Sequence, residues 1–211
     1  MANSRDRILQ RIQQALVKPT EKPIPKPDFL SPVYMQPEEP HLEVVFVENF
    51  KKAQVDFFFC ENLEQFLVAL KAYLLQKNLQ HVCVWEKYLQ ELCNVAAIPY
   101  HASDDNLLQV EASITLCESL MARTGSILVS SRQLAGRRLT IYPPVHIVVA
   151  FTSQIKPDIT EALEALKQKY TQAFPSMLSV ISGPSQTADI EKTLVLGAHG
   201  PKELSLFLID E

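Results

Sequence analysis

The sequence predicts an α/β protein, a three-layer domain with a mostly parallel sheet that follows an N-terminal helical arm. From His41 onward, segments with helical periodicity alternate with short apolar segments, and strands separated by helices pair in parallel because such neighbours need a long connection. Residues 145–151, VHIVVAF, are apolar on both faces apart from His146, as expected of a strand covered on two sides. The predicted units are an arm over residues 1–40 and an α/β domain over residues 41–211.

The arm is predicted to begin with an amphipathic helix over residues 4–18, which Ser4 can cap. Its apolar side chains share one stripe: Ile8, Leu9, Ile12 and Leu16. Residues 19–40 hold seven of the 14 prolines, so this stretch is too stiff and too poor in donors for a helix or a central strand. An isolated helix of this length is marginal in water. Its stripe is therefore expected to dock on its own domain or on a partner subunit.

Helix-like and strand-like segments alternate through the first half of the α/β domain. Helical spacing predicts helices, which cover residues 42–54, 61–78 and 86–95. The apolar runs between them predict strands, which cover residues 55–60, 81–85 and 98–101. The second half is richer in strands and has one predicted helix, over residues 157–170. Its predicted strands are 113–117, 126–130, 139–142, 145–151, 177–182 and 204–209.

Composition and charge narrow the classes of function. The chain has 20 basic and 24 acidic residues, for a net charge of -4, and its basic residues are scattered rather than gathered on one face. Nucleic-acid binding is therefore not predicted. No segment reaches the roughly 20 apolar residues of a membrane span, and Arg5, Asp6 and Arg7 interrupt the first apolar stretch, unlike a secretory signal. A cytoplasmic location is expected.

The cysteines are predicted to be buried free thiols. Cys60, Cys83, Cys93 and Cys117 form no C-x-x-C pair and have no histidine at zinc-ligand spacing. Because iron–sulfur clusters need closely spaced thiolates, this chain is expected to carry no cluster and no metal.

The glycines point to a ligand surface in the C-terminal half. All five fall between Gly125 and Gly200, and glycine is needed where φ is positive or where backbone approaches a ligand closely. The first motif is Thr124-Gly125-Ser126, before a predicted strand. Its backbone N–H groups and hydroxyls can bind an anion or a carboxylate; alternatively, it is a plain turn whose hydroxyls bond their own backbone.

Three basic residues are further candidates. Arg137 and Arg138 lead into a predicted strand, so only one can point into a given site. The arginine that points into the site can bind a carboxylate. Alternatively, both arginines are solvent-exposed at the rim of the site. His146 is expected to be either a buried neutral imidazole held by a backbone carbonyl or a ligand contact. His199, in the loop between Gly197 and Gly200, is either a ligand contact or part of the loop structure.

The segment Ser182-Gly183-Pro184-Ser185 follows a predicted strand and leads towards a predicted helix. The order of strand, glycine turn and helix N-terminus is one that binds anions, although neither a P-loop nor a G-x-G-x-x-G motif is present. Asp189 and Glu191 follow. In a helix, residues two apart point in nearly opposite directions, so this pair favours helix capping over paired acid–base chemistry.

Four segments in this order and spacing resemble the LUD-domain family, in particular the lactate utilization protein C (LutC/YkgG) group. They are TGSILVSS, RRLTIYPPVH, ISGPSQTADIEKTL and GAHGPKEL. The resemblance implies a fold similar to the sugar-phosphate isomerase and CoA-transferase superfamily. It also implies a role in oxidising L-lactate to pyruvate beside iron–sulfur partner proteins that carry the clusters. The positions that match the family pattern are Thr124, Gly125, Arg137, Pro144, His146, Ser182, Gly183, Ser185, Asp189, Glu191, His199 and Gly200.

Ser126 joins the matched positions as a further ligand candidate. Two hypotheses follow for the function. In the first, the chain is a non-redox subunit of a lactate-oxidising system that binds partner proteins and a small carboxylate or anion. In the second, it is a free-standing enzyme or binding protein that uses an acyl-CoA, a nucleotide or a sugar phosphate at the same strand ends. A carboxylate nucleophile would favour the second, and Glu118 is the one loose candidate. Whether the chain is itself catalytic stays open at this point.

Overall fold

The computed structural model describes residues 3–17, 41–103, 107–188 and 194–210. The chain divides into two units, Met1–Gln36 and Pro37–Glu211. In the first unit, helix α1 covers Ser4–Leu16, and its predicted apolar stripe is exposed. The proline-rich stretch, residues 19–40, lies outside the described residues.

The second unit is a mixed α/β structure. Its helices are α2 (Leu42–Phe50), α3 (Leu63–Gln76), α4 (Lys87–Val95) and α5 (Ile159–Lys169). Its strands are β1 (Asp56–Cys60), β2 (Val82–Cys83), β3 (Ala112–Leu116), β4 (Ser119–Met121), β5 (Ser126–Ser130), β6 (Val145–Phe151), β7 (Ile155–Lys156), β8 (Leu178–Ile181), β9 (Gln186–Ala188), β10 (Leu194–Leu196) and β11 (Glu203–Ile209). The predicted fold class is confirmed.

The strands form two sheets and a hairpin. The central sheet has five parallel strands in the order β1-β11-β6-β3-β2. A second sheet has four strands in the order β7-β4-β5-β8, in which β5 is antiparallel to both of its neighbours. Strands β9 and β10 pair as an antiparallel hairpin.

The layers follow from the two buried faces of the central sheet. Val145, Ile147 and Val149 of β6 pack in the core that also contains α3 and α4. Val148 and Ala150 face the other way and pack with α2 and the second sheet. The far side of the second sheet packs against α5 through Met121 and Leu128. The two-sided burial predicted for residues 145–151 is therefore confirmed.

Two predicted strands are wrong. Residues 139–142 form turns, because the N–H groups of Leu139 and Tyr142 donate to the carbonyls of Ala135 and Arg138 and cannot also pair in a sheet. Residues 98–101 contribute only one parallel bridge, between Cys83 and His101. The other predicted elements are present with small shifts at their ends. The exception is the helix expected after Ser185, where the structure has strand β9.

Gly125 explains how α2 docks on the turn before β5. The Asn49 side chain donates to the carbonyls of Ala122 (3.0 Å) and Arg123 (3.1 Å). Gly125 has φ +58°, and a Cβ there would lie 2.2 Å from the backbone nitrogen of Phe50. Two backbones meet here, so the turn needs glycine because of a neighbouring helix.

Gly125→Ala should lower the free energy of unfolding by about 3 kcal/mol or more, because it adds a backbone clash to the cost of a positive φ. Gly136→Ala is the matched control. Its φ is +49°, but its Cβ would come no closer than 3.3 Å to the Gln133 carbonyl oxygen, so its cost should be about 1 kcal/mol. Urea unfolding measures both, and equal losses would contradict the close-approach explanation.

Deletion of residues 1–40 should leave a cooperative thermal melt within about 5 °C of the full chain, because every described strand lies in the second unit. Deletion of residues 1–60 is the control. It removes α2 and β1 and should abolish the cooperative melt. If the shorter deletion also abolishes it, the arm is part of the folding unit.

Candidate functional site

Two of the predicted ligand residues, Ser182 and Gly183, line one cleft, here called the Ser182 cleft. Its volume is about 530 Å³, within the range of small-molecule sites. It lies between the segment that follows α2 and the loop that follows β8. The lining residues are Lys52, Ala53, Gln54, Ser182, Gly183, Pro184 and Gln186.

Hydrogen bonds fix the polar groups of the Ser182 cleft. The Ser182 hydroxyl lies 2.8 Å from the hydroxyl of the buried Ser126, which in turn lies 3.3 Å from the Thr124 carbonyl. Lys52 Nζ donates to the Asn49 side chain over 2.8 Å. A Cβ at Gly183 would lie 3.0 Å from the Cβ of Ala53, so glycine keeps the two walls close. An ammonium, a hydroxyl and two amides suit a small carboxylate.

The loop beyond this cleft is tied to the segment that precedes β11. The Ser185 N–H donates to the Pro201 carbonyl (2.8 Å), and the Gly197 N–H donates to the Ser185 carbonyl (2.9 Å). A Cβ at Gly200 would lie 3.2 Å from that of Ser185. His199 is exposed on this loop. Ser185, His199 and Gly200 therefore lie along the chain next to the cleft, although none of them lines it.

The helix expected after Ser185 is wrong. Residues 186–188 form β9, because they pair with residues 194–196 of β10 in an antiparallel register. A helix N-terminus therefore does not support anion binding by Ser182–Ser185. Asp189 and Glu191 lie outside the described residues.

Arg137 lies apart from the Ser182 cleft. It is in a turn rather than at a strand entrance, and its guanidinium donates to the Ser176 hydroxyl over 3.2 Å. Ser176 precedes β8, and Ser182 follows it. A strand rises about 3.3 Å per residue, and the four residues of β8 lie between the two serines, which are therefore on the order of 13 Å or more apart. The predicted residues therefore cannot all contact one small ligand.

His146 is fully buried on β6, which agrees with the buried imidazole and not with the ligand contact among its two expected roles. Its Nε2 lies 2.8 Å from the hydroxyl of Thr115, so a side chain holds the ring, and the predicted backbone carbonyl does not. Burial lowers the pKa of His146 to about 4, which keeps the imidazole neutral near pH 7. Without access to solvent, His146 cannot contact a ligand that binds from outside.

Glu118 cannot act as an exposed nucleophile. Its side chain is fully buried, and its oxygens accept hydrogen bonds from Ser130 (2.5 Å), Tyr170 (2.9 Å) and Lys169 (2.8 Å). This carboxylate joins the end of β5 to the end of α5. Its position in the sequence suggested chemistry, whereas its contacts indicate an anchoring role.

The sequence did not point to Glu86, or to Lys52 as a lining residue of the Ser182 cleft. Glu86 is buried at the start of α4, and its carboxylate accepts from the Ala135 N–H over 3.3 Å. Burial raises the pKa of Glu86 to about 7. An acid before a helix resembles an ordinary cap, and Lys52 follows a helix far along the chain from Ser182. Neither residue carries a local signal of its role.

The four cysteines are buried free thiols. Burial raises the pKa of Cys93 to about 11 and also raises the pKa values of Cys60 and Cys117. Thiols with raised pKa values stay protonated near pH 7. Within the described ranges, no group of three or more His, Cys, Asp or Glu residues could hold a metal ion. In those same ranges, no helix combines the length and apolarity needed to cross a membrane.

Comparison with known proteins gives a consistent set of relatives. A model of the LUD domain matches residues 101–209. Lactate utilization protein C of Bacillus licheniformis is 31% identical over 115 residues, which are 52% of this chain and 48% of that protein. The namesake from Bacillus subtilis is 32% identical over 105 residues, 49% and 44% of the two chains. YkgG of Escherichia coli, described as uncharacterized, is 30% identical over 128 residues, 58% and 55% of the two chains.

The chain thus matches about half the length of these curated relatives. The solved structure of a DUF162 family protein from Deinococcus radiodurans is also similar. Its TM-score is 0.60 at 20% identity, and the match covers 80% of this chain and 96% of that one. This likeness supports the fold.

Glu86→Gln should remove a pH dependence of stability. The pKa of this acid is about 7 in the folded state, against 4.5 for an ordinary glutamate, so the wild type loses stability as pH rises from about 4.5 through 7. Above pH 8, the variant should be more stable than the wild type by about 3 kcal/mol, with little difference at pH 4. Urea unfolding across this range measures the effect. Glu64→Gln, which removes an exposed carboxylate on α3, is the control, and parallel pH curves for wild type and Glu86→Gln would refute the argument.

Proposed function

The chain belongs to the LUD domain family, and from that premise we propose that it is a non-redox component of an L-lactate utilization system. In this proposal, iron–sulfur partner proteins carry out the electron transfer of lactate oxidation to pyruvate. The chain itself binds those partners and a small carboxylate. The observation that carries the proposal is the LUD match over residues 101–209, a range that contains every predicted ligand residue, together with the relatives named for lactate utilization.

The thiol chemistry supports the division of labour. A cluster needs several thiolates within reach of one another, whereas among the described residues the cysteines form no group that could hold a metal ion. We therefore assign the clusters to partner proteins and only non-redox roles to this chain.

The Ser182 cleft supports the carboxylate part of the proposal. Lys52 supplies a positive charge, and Ser182, Gln54 and Gln186 supply neutral polar groups without an opposing acid in the lining. A 2-hydroxy acid such as lactate needs a cation for its carboxylate and a hydrogen-bond partner for its hydroxyl. Both are present at this cleft.

The alternative of an enzyme or binding protein for an acyl-CoA, a nucleotide or a sugar phosphate has less support. Its acyl-transfer form calls for an accessible carboxylate, and Glu118 is enclosed by three donors. Tight binding of a CoA ester or a nucleotide to the purified chain would revive this alternative.

Deletion of the gene in its host should abolish growth on L-lactate and leave growth on pyruvate intact. A wild-type copy should restore growth. A copy with both Lys52→Ala and Ser182→Ala should restore it poorly, because removal of a charge-assisted hydrogen bond from the cleft weakens binding about tenfold or more. Lys167→Ala, in the last turn of α5, is the control and should restore growth fully.

Purified from co-expression with the iron–sulfur proteins, the chain should form a complex with them, and alone it should not oxidise lactate. Normal growth of the deletion strain on L-lactate would refute the proposed function. Full restoration by the double variant would refute only the cleft.

A further inference from the structure

A second cleft lies at the other end of β8 and is here called the Arg132 cleft. Its volume is about 310 Å³. It lies between the turn that follows β5 and the segment that follows α5. The residues that line it are Arg132, Lys169, Tyr170, Thr171, Gln172 and Ala173.

The charge of this cleft is positive. Arg132 and Lys169 line it, and Arg137 reaches the adjacent Ser176 hydroxyl. In the described parts of the chain, no ion pair involves Arg132 or Arg137, and the opposing acid is the buried Glu118. The carboxyl end of α5 adds roughly half a negative charge. Lys169 and Glu118 offset each other, and the full charge of Arg132 exceeds the half charge of the helix end.

Hydrogen bonds position Arg132 and Lys169 and leave some of their N–H groups available for a ligand. Arg132 Nε and Nη2 both donate to the Ala173 carbonyl, over 3.1 and 2.8 Å, which fixes the guanidinium plane and leaves its other terminal nitrogen uncommitted. Lys169 gives one of its three N–H groups to Glu118 over 2.8 Å. Preorganised donors lose less conformational entropy when they bind a ligand.

Hydroxyl groups also lie in or near the Arg132 cleft. The Ser131 and Ser176 hydroxyls lie 3.3 Å apart, and Thr171 lies in the lining. Forked guanidinium donors beside an ammonium and hydroxyls match the several oxygens of a carboxylate or a phosphate.

We propose that the Arg132 cleft is a binding site for the oxyanion group of a small metabolite. In this site, Arg132 and Lys169 contact the anion, and Glu118 is a positioning residue that orients Lys169 and Tyr170 from the interior. The site is independent of the Ser182 cleft, because β8 separates the two. It extends beyond the proposed function, which requires only the Ser182 cleft.

Calorimetry on the full chain at low salt tests the proposal, with inorganic phosphate as the probe. Phosphate should bind, and Arg132→Gln should weaken that binding at least tenfold. Arg132→Lys keeps the charge but lacks the fork, so it should fall between wild type and Arg132→Gln. Lys167→Gln, in the last turn of α5 and outside the lining of the cleft, is the matched control and should bind phosphate as the wild type does. Lys52→Gln reports whether phosphate binds in the Ser182 cleft instead. Added salt should weaken the binding.

Lys169→Gln should also weaken binding, but it leaves the buried Glu118 without its cation and lowers stability. The Arg132 variants therefore decide the outcome, with thermal melts to confirm that they fold. Absence of phosphate binding overturns the proposal, as does unchanged phosphate affinity in Arg132→Gln. Binding abolished in Lys52→Gln and retained in Arg132→Gln also overturns it and assigns the anion to the Ser182 cleft. If a gene copy with Arg132→Gln restores growth on L-lactate, the proposed function stands whatever the calorimetry shows.

Discussion

Burial of the five-stranded parallel sheet on both faces is the constraint on which the rest of the structure depends. Parallel neighbours need long connections, and here the connections between β3, β6 and β11 do more than cross over. They contain β4, β5, β7, α5 and β8, which assemble the second sheet and its helix. One face of the central sheet is thus covered by α3 and α4, and the other by its own connecting segments and α2.

This arrangement explains where the candidate sites lie. In many α/β proteins, ligands bind beyond the carboxyl ends of the central strands. In this protein both candidate clefts belong to the covering layer, where the loops that enter and leave β8 meet α2 on one side and the end of α5 on the other. The two clefts differ in charge, because Lys52 is the cation that lines the Ser182 cleft, whereas Arg132 and Lys169 both line the other cleft.

The sequence predicted the helices and strands that depend on periodicity. It failed where contacts between residues far apart in the chain determine the local structure. Apolar spacing was sufficient for the helices and for β6. Residues 139–142 looked β-like because Leu139, Thr140, Ile141 and Tyr142 favour strands, but local N–H bonds hold them in turns. The glycine signal was ambiguous for a physical reason: a missing Cβ makes room equally for a ligand or for another segment of the chain. At Gly125 the neighbour is α2. Order along the chain also could not reveal that Arg137 and Ser182 lie at opposite ends of one short strand.

The strand order has a consequence for the meaning of the LUD match. Residues 101–209 include β3, β6 and β11, but both outer strands of the central sheet, β1 and β2, come from earlier in the chain, as do the helices that cover one face. A fragment cut at the limits of the match would leave β11 and β3 without the partners β1 and β2 and would uncover an apolar surface, which favours aggregation. The segment recognised by homology is therefore smaller than the segment able to fold autonomously, and experiments on this protein need the residues that precede the match.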